Sequence, residues 1–253
     1  MRALLDRFGL RPQKGFGQSF LTDQFVLGAI LAAADLEPAD QVVEVGPGLG
    51  VLTRALSERA GRVVAIEIDR GMVAALGELL ADRPNVELVE GDALRLDPAP
   101  LVGQAPYKVV ANLPYYITSP LLRHFFEAAR PPTRLVVMVQ REVAERIVAG
   151  PGELSLLAVS VQYYGQPTIV GYIPASAFFP PPKVDSAILR VDVRVRPAVD
   201  VEPEPFFKVV SAGFAMPRKQ LHNALPQKLW MPPGAAEEAL RASGIDPMRR
   251  AQT

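Results

Sequence analysis

The sequence predicts an α/β protein built on a mostly parallel sheet, followed by a small α-helical C-terminal domain. Three observations carry this expectation. Between Val42 and Gln140, short runs rich in Val and Ile alternate with segments whose apolar residues recur at helical spacing. A glycine-rich turn, Gly46-Pro47-Gly48-Leu49-Gly50, follows the first of these runs. After Val195 the texture changes to proline and acids in "RPAVDVEPEP", and then to helical patterns.

In chain order, "QVVEV", "RVVAIEI", "NVELVEG", "YKVVAN" and "RLVVMVQ" read as strands, and "VLTRALSERA", "GMVAALGELLADR", "SPLLRHFFEAA" and "REVAERIVAG" as the helices among them. Repeated strand and helix imply parallel crossovers with helices on both sheet faces. "LAVSVQYYG" and "DSAILRVDVRV" follow as two further strands, expected to pair as an antiparallel edge. "FFKVVSAGFA", "RKQLHNALPQKLW" and "AAEEALRASG" then read as helices. The expected domains are residues 1–195 and 196–253, with Trp230 and Met231 in the core of the second.

Composition limits the function classes. The 253 residues suffice for a full core, and 27 basic side chains balance 27 acidic ones, so no overall field draws the protein to nucleic acid or membrane. Without cysteine there is no disulfide framework and no thiolate nucleophile or ligand. His124 and His222 lie too far apart in sequence to suggest a metal site. "MRALLDRFGL" does not read as a signal peptide and no apolar run reaches membrane-spanning length, which leads to the expectation of a soluble, cytoplasmic protein with no membrane partner.

The chemistry concentrates at predicted strand ends. A glycine turn between a strand and a helix brings backbone N–H groups close to a ligand, and it suits NAD and S-adenosylmethionine enzymes alike. Glu67, seventeen residues after Gly50, is placed to accept from a ribose, while Asp69 suits a helix cap. Asp92 in "VEGDAL" can accept from an adenine amino group, with the Ala93 N–H donating to a ring nitrogen, or it can cap a short helix. The loop reads GxGxG rather than GxGxxG and follows Glu44, an acid expected to repel a pyrophosphate and to suit an aminoacyl ammonium. S-adenosylmethionine is therefore the better fit.

The stretch "VVANLPYYITS" supplies the reacting end. Pro114 stops the strand near Asn112, delivering an amide, a free backbone and Tyr115 together. An exocyclic adenine nitrogen is a poor nucleophile because its lone pair is delocalised. The Asn112 side-chain carbonyl and the Leu113 backbone carbonyl, presented by the Pro114 turn, can accept its two hydrogens and redirect that lone pair, while Tyr115 stacks on the base. Ser119 and Pro120 read as the cap and first residue of the next helix.

Together, "KGFGQSFL", "VVEVGPGLGVLTRAL", "IEIDR", "EGDAL", "NLPYYITSPL", "MVQREVAERI" and "FFPPPKVDSAILRV" resemble the KsgA family of small-subunit ribosomal RNA adenine N6,N6-dimethyltransferases. The resemblance runs from Lys14 to Val195 and continues more weakly through "GFAMPRKQLHNAL" and "GIDPMRRAQT". It implies a Rossmann-like class I methyltransferase fold using S-adenosylmethionine. It also implies four methyl transfers to two adjacent adenines near the 3′ end of 16S RNA in an immature 30S subunit, by a monomer with a part in ribosome biogenesis. By motif, Ser19, Leu21, Gly46, Glu67, Asp92 and Asn112 line the cofactor site, and Phe178 joins Tyr115 as a base-stacking ring, with Phe179 in the core. Ser19 stands where the family usually has asparagine, and Pro217 where it usually has arginine. A further terminal helix is expected beyond "RRAQT".

RNA contact by an overall neutral protein must come from local clusters. The candidates are Arg7, Arg11 and Lys14, Arg141 and Arg146 on one helix, and Arg218 with Lys219. Three readings compete with the leading one: a large-subunit (23S) adenine N6-methyltransferase, a non-catalytic ribosome-assembly or transcription factor on the same fold, and an NAD-dependent oxidoreductase.

Overall fold

The computed structural model describes residues 1–13, Gly15 and 17–253. The elements, in order, are α1 (Arg2–Arg7), β1 (Phe20–Leu21), α2 (Gln24–Ala34), β2 (Gln41–Val45), α3 (Val51–Ser57), β3 (Arg62–Glu67), α4 (Arg70–Leu79), β4 (Val86–Glu90), α5 (Pro98–Val102), β5 (Tyr107–Asn112), α6 (Thr118–Phe126), β6 (Arg134–Gln140), α7 (Arg141–Val148), α8 (Leu156–Tyr164), β7 (Gly165–Ile173), β8 (Phe178–Phe179), β9 (Ser186–Val193), α9 (Pro203–Phe214), α10 (Leu221–Leu229) and α11 (Ala235–Ala242). A 3₁₀ turn at Tyr115–Ile117 leads into α6.

Seven strands form one sheet in the order β4-β3-β2-β5-β6-β9-β7, and β1 pairs separately with β8. The pairs β3/β4, β2/β3, β2/β5 and β5/β6 are parallel and β6/β9 is antiparallel. This is a mixed, Rossmann-like architecture. The strand order reverses between β2 and β5, where the crossovers leave toward opposite edges and open a crevice beyond the strand ends. The strands that flank it are buried on both faces, with Val42, Val43, Val63, Val64, Val109 and Val110 inaccessible to water, so they read as continuous apolar runs rather than alternating ones.

Local chemistry sets the helix starts. Asp69 accepts from the N–H of Gly71 and Met72 to cap α4, whose Met72, Ala75 and Leu76 form a buried stripe at helical spacing. Asp23 caps α2 in the same way. At α6 the expected Ser119 cap is replaced: the helix starts at Thr118, because the 3₁₀ turn runs straight into it through the Ile117 N–H bond to the Pro114 carbonyl. Pro120 still falls in the first turn, where its missing N–H costs nothing.

"LAVSVQYYG" is not a strand. Ser155 caps it by accepting from the Ala158 N–H, and Ala158 and Val161 share a buried helical face, so α8 forms despite its β-branched and aromatic residues. The strand follows instead as β7, where Pro167 is tolerated at the sheet edge. Its neighbour is β9, and it is β9 that lies antiparallel to β6.

The chain divides into two compact units, Met1–Ala144 with Gln166–Val193, and Glu145–Gly165 with Arg194–Thr253. This partition differs from a single cut after residue 195, since α8 groups with the C-terminal helices. An aromatic cluster accounts for that: Tyr163 stacks on Phe206 at 4.6 Å between ring centres, meets Phe207 edge-on, and donates to the Val201 carbonyl at 2.6 Å. Within the second unit Ala212, Leu225, Ala236 and Leu240 form a core, with Leu229 and Met231 packed against it. Trp230 is not part of that core. It ends α10 in a left-handed conformation (φ 53°) and is 91% exposed, because Leu229 and Met231 on either side take the inward positions.

Candidate active site

At the crevice, β2 ends in the glycine turn. The Gly46 N–H donates to the Ile66 carbonyl at 3.0 Å, which ties the turn to β3. Gly48 has φ +58°, and a Cβ there would lie 2.8 Å from the Phe20 ring, so both backbone conformation and space require glycine. The Gly48 N–H donates to Glu67 Oε2 at 3.2 Å, and the Asp69 N–H donates to Glu67 Oε1 at 3.0 Å. Glu67 is thus pinned by both oxygens at the end of β3, each with a lone pair to spare. Burial raises its pKa above the usual carboxylate value, against the lowering effect of those backbone donors. Asp92, just past β4, accepts from the Leu94 N–H at 3.0 Å, so it shapes its own turn while standing on the cavity wall.

Glu44 departs from its expected role. It is 1% exposed, and burial pushes its pKa up to about 8, with a smaller upward push from Glu67. The neighbouring Thr53 hydroxyl tempers this rise without a well-formed hydrogen bond, since both Glu44 Oε2 and Thr53 Oγ1 are buried without a partner. Glu44 is therefore mostly protonated at neutral pH, and charge repulsion of a pyrophosphate does not follow from it. A folded pKa raised above the unfolded value means that Glu44's contribution to stability is fully present below pH about 4.5. It is lost progressively as pH rises toward 8, at up to about 1.4 kcal/mol per pH unit. Glu44→Gln, which mimics the protonated form, is expected to flatten that part of the stability profile. Urea unfolding at several pH values checks this, and an unchanged slope would remove Glu44 as its source.

The "NLPYY" stretch closes the cavity. Asn112 Nδ2 donates to the Ser19 carbonyl at 2.8 Å, leaving its Oδ1 as an acceptor without a protein partner among the described residues. The Ser19 hydroxyl donates to the Pro180 carbonyl at 2.5 Å. Ser19 thus anchors the Asn112 amide through its backbone, a role independent of the side chain at that position and not signalled by the motif. The Tyr115 hydroxyl meets Ser186 Oγ at 2.7 Å. Phe178, 4% exposed, pairs through β8 with Leu21 of β1. Phe179 packs instead with Phe20, Leu49 and Met72.

Ser19, Leu21, Gly46, Glu67, Asp92, Asn112, Leu113, Pro114, Tyr115 and Phe178 all line one cavity of about 190 Å³. Sequence reasoning did not single out Phe20, Ile68 or Met138, which also line it; their apolar character gave no signal beyond core. Among the described residues no cluster of His, Asp or Glu has metal-binding geometry, and no helix is long and apolar enough to cross a membrane.

The described basic candidates fall in α1 and the stretch after it, in α7, and in the turn between α9 and α10. Arg7 pairs with Glu78 and lies over the Phe8 ring. Lys14 lies outside the described residues. The Arg141 guanidinium sits 4.8 Å from the Tyr172 ring centre. Arg218 and Lys219 are exposed in the turn between α9 and α10 rather than on a helix, and Pro217 lies in the same turn.

With this geometry in place, the model of the ribosomal RNA adenine dimethylase family matches residues 9–252. The chain belongs to that family. A relative named ribosomal RNA small subunit methyltransferase A, from Dehalococcoides mccartyi, is 48% identical over 100% of this chain and 87% of its own. One of the same name from Moorella thermoacetica is 49% identical over 99% and 91%. Among solved structures, the 23S rRNA methyltransferase ErmE matches with a TM-score of 0.74 at 31% identity, covering 92% of this chain and 93% of that one. A dimethyladenosine transferase from Plasmodium falciparum matches with 0.76 at 26% identity, covering 92% and 91%. Dimethylases of this family are S-adenosylmethionine-dependent enzymes.

Proposed function

We propose that this dimethylase transfers four methyl groups from S-adenosylmethionine to N6 of two adjacent adenines near the 3′ end of 16S rRNA. It acts as a cytoplasmic monomer on an immature 30S subunit, with a part in small-subunit biogenesis and with the C-terminal unit contributing RNA contacts. The observation that carries this reading is the fixed Asn112 amide, its donor held by Ser19 and its acceptor left over, in the same cavity as Glu67, Asp92, Tyr115 and Phe178.

The donor set suits S-adenosylmethionine. The Gly48 turn has no room for a side chain, and Glu67 keeps a lone pair on each oxygen for ribose hydroxyls. Ser19, Leu21, Gly46, Glu67, Asp92 and Asn112 would hold the cofactor, whose chemistry when bound is an electrophilic methyl group on sulfur. Asn112 Oδ1 and the Leu113 carbonyl accept the target N–H groups, so that charge developing on nitrogen in the transition state meets acceptors already oriented. Tyr115 and Phe178 clamp the base and offset the unstacking of a flipped adenine.

Two observations bear on the competing readings. A 23S enzyme shares the fold, so the fold does not choose the substrate, but the relatives at 42–49% identity over nearly the whole chain carry the small-subunit name. The acceptor geometry at Asn112 has no use in an assembly factor without activity or in a hydride-transfer enzyme. The test is transfer of labelled methyl to immature small subunits with large subunits as control. Dimethyladenosine on small-subunit RNA is the expected result; label on large-subunit RNA alone, or tight binding without transfer, would overturn it.

A further inference from the structure

We propose that Ser186 is a positioning residue that fixes the Tyr115 ring as the surface on which the target adenine stacks. The inference rests on the adenine reading of the cavity and adds to it a residue outside the "NLPY" stretch. Ser186 is fully buried, and its hydroxyl meets the Tyr115 hydroxyl at 2.7 Å, the one side-chain bond that Ser186 makes among the described residues. Burying a lone hydroxyl costs free energy unless it is bonded, and alanine would fill the same space without that cost. Packing therefore gives no reason for serine here; the bond to Tyr115 does.

The two partners differ in how they are held. Ser186 is the first residue of β9 and pairs with Gln140 of β6. The residue before it is tied on two sides: the Asp185 carbonyl accepts from the Arg141 N–H and Asp185 Oδ1 accepts from the Ala175 N–H, each at 3.0 Å. Tyr115, by contrast, belongs to a 3₁₀ turn outside the sheet and is only half-buried at the cavity wall. A sheet residue thus holds the free end of a ring whose own backbone is not in the sheet. The plane of that ring sets the plane of a stacked base, and with it the direction of the N6 lone pair relative to Asn112.

This anchoring matters more for the second transfer to each adenine than for the first. The unmethylated amine offers two hydrogens to Asn112 and Leu113, whereas the monomethylated one offers a single hydrogen. Stacking must then supply more of the orientation. Loosening the ring is expected to let monomethyladenosine accumulate.

The test compares wild type, Ser186→Ala, Tyr115→Phe and the double variant, using labelled methyl transfer to immature small subunits, the ratio of mono- to dimethyladenosine, and the cofactor Kd. Each single variant is expected to slow transfer about fivefold, the worth of one ordinary hydrogen bond, and to raise the monomethyl fraction. Cofactor Kd should stay within about twofold. The double variant should be no worse than the poorer single one, because both changes remove the same bond. Additive losses, or an unchanged product ratio, overturn the role of Ser186 while leaving the adenine reading intact. No transfer by wild type overturns both. If Ser186→Ala does not fold, Tyr115→Phe removes the same bond while keeping the ring, and its product ratio decides.

Discussion

Replacing Asn112 by alanine is expected to lower methyl transfer about 100- to 1,000-fold, the loss that follows removal of one oriented transition-state partner. The effect should fall mainly on kcat, with cofactor Kd changed by less than about tenfold. The structure explains why the amide and not merely its oxygen is needed. Nδ2 is spent on the Ser19 carbonyl, and this single bond decides which way Oδ1 points. Asn112→Asp separates the two functions: it keeps acceptor oxygens but sets a carboxylate against the Ser19 carbonyl, two acceptors without a shared hydrogen. It should therefore retain the ability to accept from N6 while losing the anchor, and give an intermediate rate. Single-turnover kinetics with saturating cofactor check both variants. If the whole loss in Asn112→Ala appears as weakened cofactor binding, Asn112 is a cofactor residue only, and the acceptor role passes to the Leu113 carbonyl alone.

Much of this site was legible in the sequence because a glycine turn or a polar residue stands where each strand stops: Gly46 after β2, Glu67 at the end of β3, Asp92 just past β4 and Asn112 at the end of β5. The runs ending at Val45, Glu67, Glu90 and Asn112 lie side by side in the sheet, so residues scattered over nearly 70 positions meet at one edge. Two kinds of information were not available. Bonds between distant segments, such as Asn112 with Ser19 and Tyr115 with Ser186, depend on how β1 and β9 dock, and spacing says nothing about that. Competition between local propensity and capping was also hidden. In α8 a single serine cap and a buried helical face outweigh a β-prone composition, and at Trp230 a left-handed helix end turns outward a side chain whose composition suggested core. Glu44 illustrates a third limit: its identity is plain in the sequence, but its charge depends on a burial that only the fold determines.

Changing Glu67 to glutamine is expected to weaken cofactor binding by about 100-fold and to destabilise the cofactor-free protein by about 1–3 kcal/mol. Both oxygens of Glu67 already accept backbone N–H groups, from Gly48 and from Asp69. An amide has only one acceptor oxygen, so whichever way it turns, its NH₂ confronts one of these donors in a buried site. The Gly48 turn then loses a tether, and one of the two acceptors for a ribose becomes a donor. These two consequences can be measured apart. Urea unfolding without cofactor reports the turn, and calorimetric titration with S-adenosylmethionine reports the ribose contact. A stability loss with unchanged affinity would make Glu67 a support for the glycine turn and nothing more. Loss of affinity together with the loss of stability would assign it to the ligand as well as to the turn. The second result is expected, because the turn is also held by the Gly46 bond to Ile66 and by the Gly50 bond to Pro47, neither of which the substitution touches.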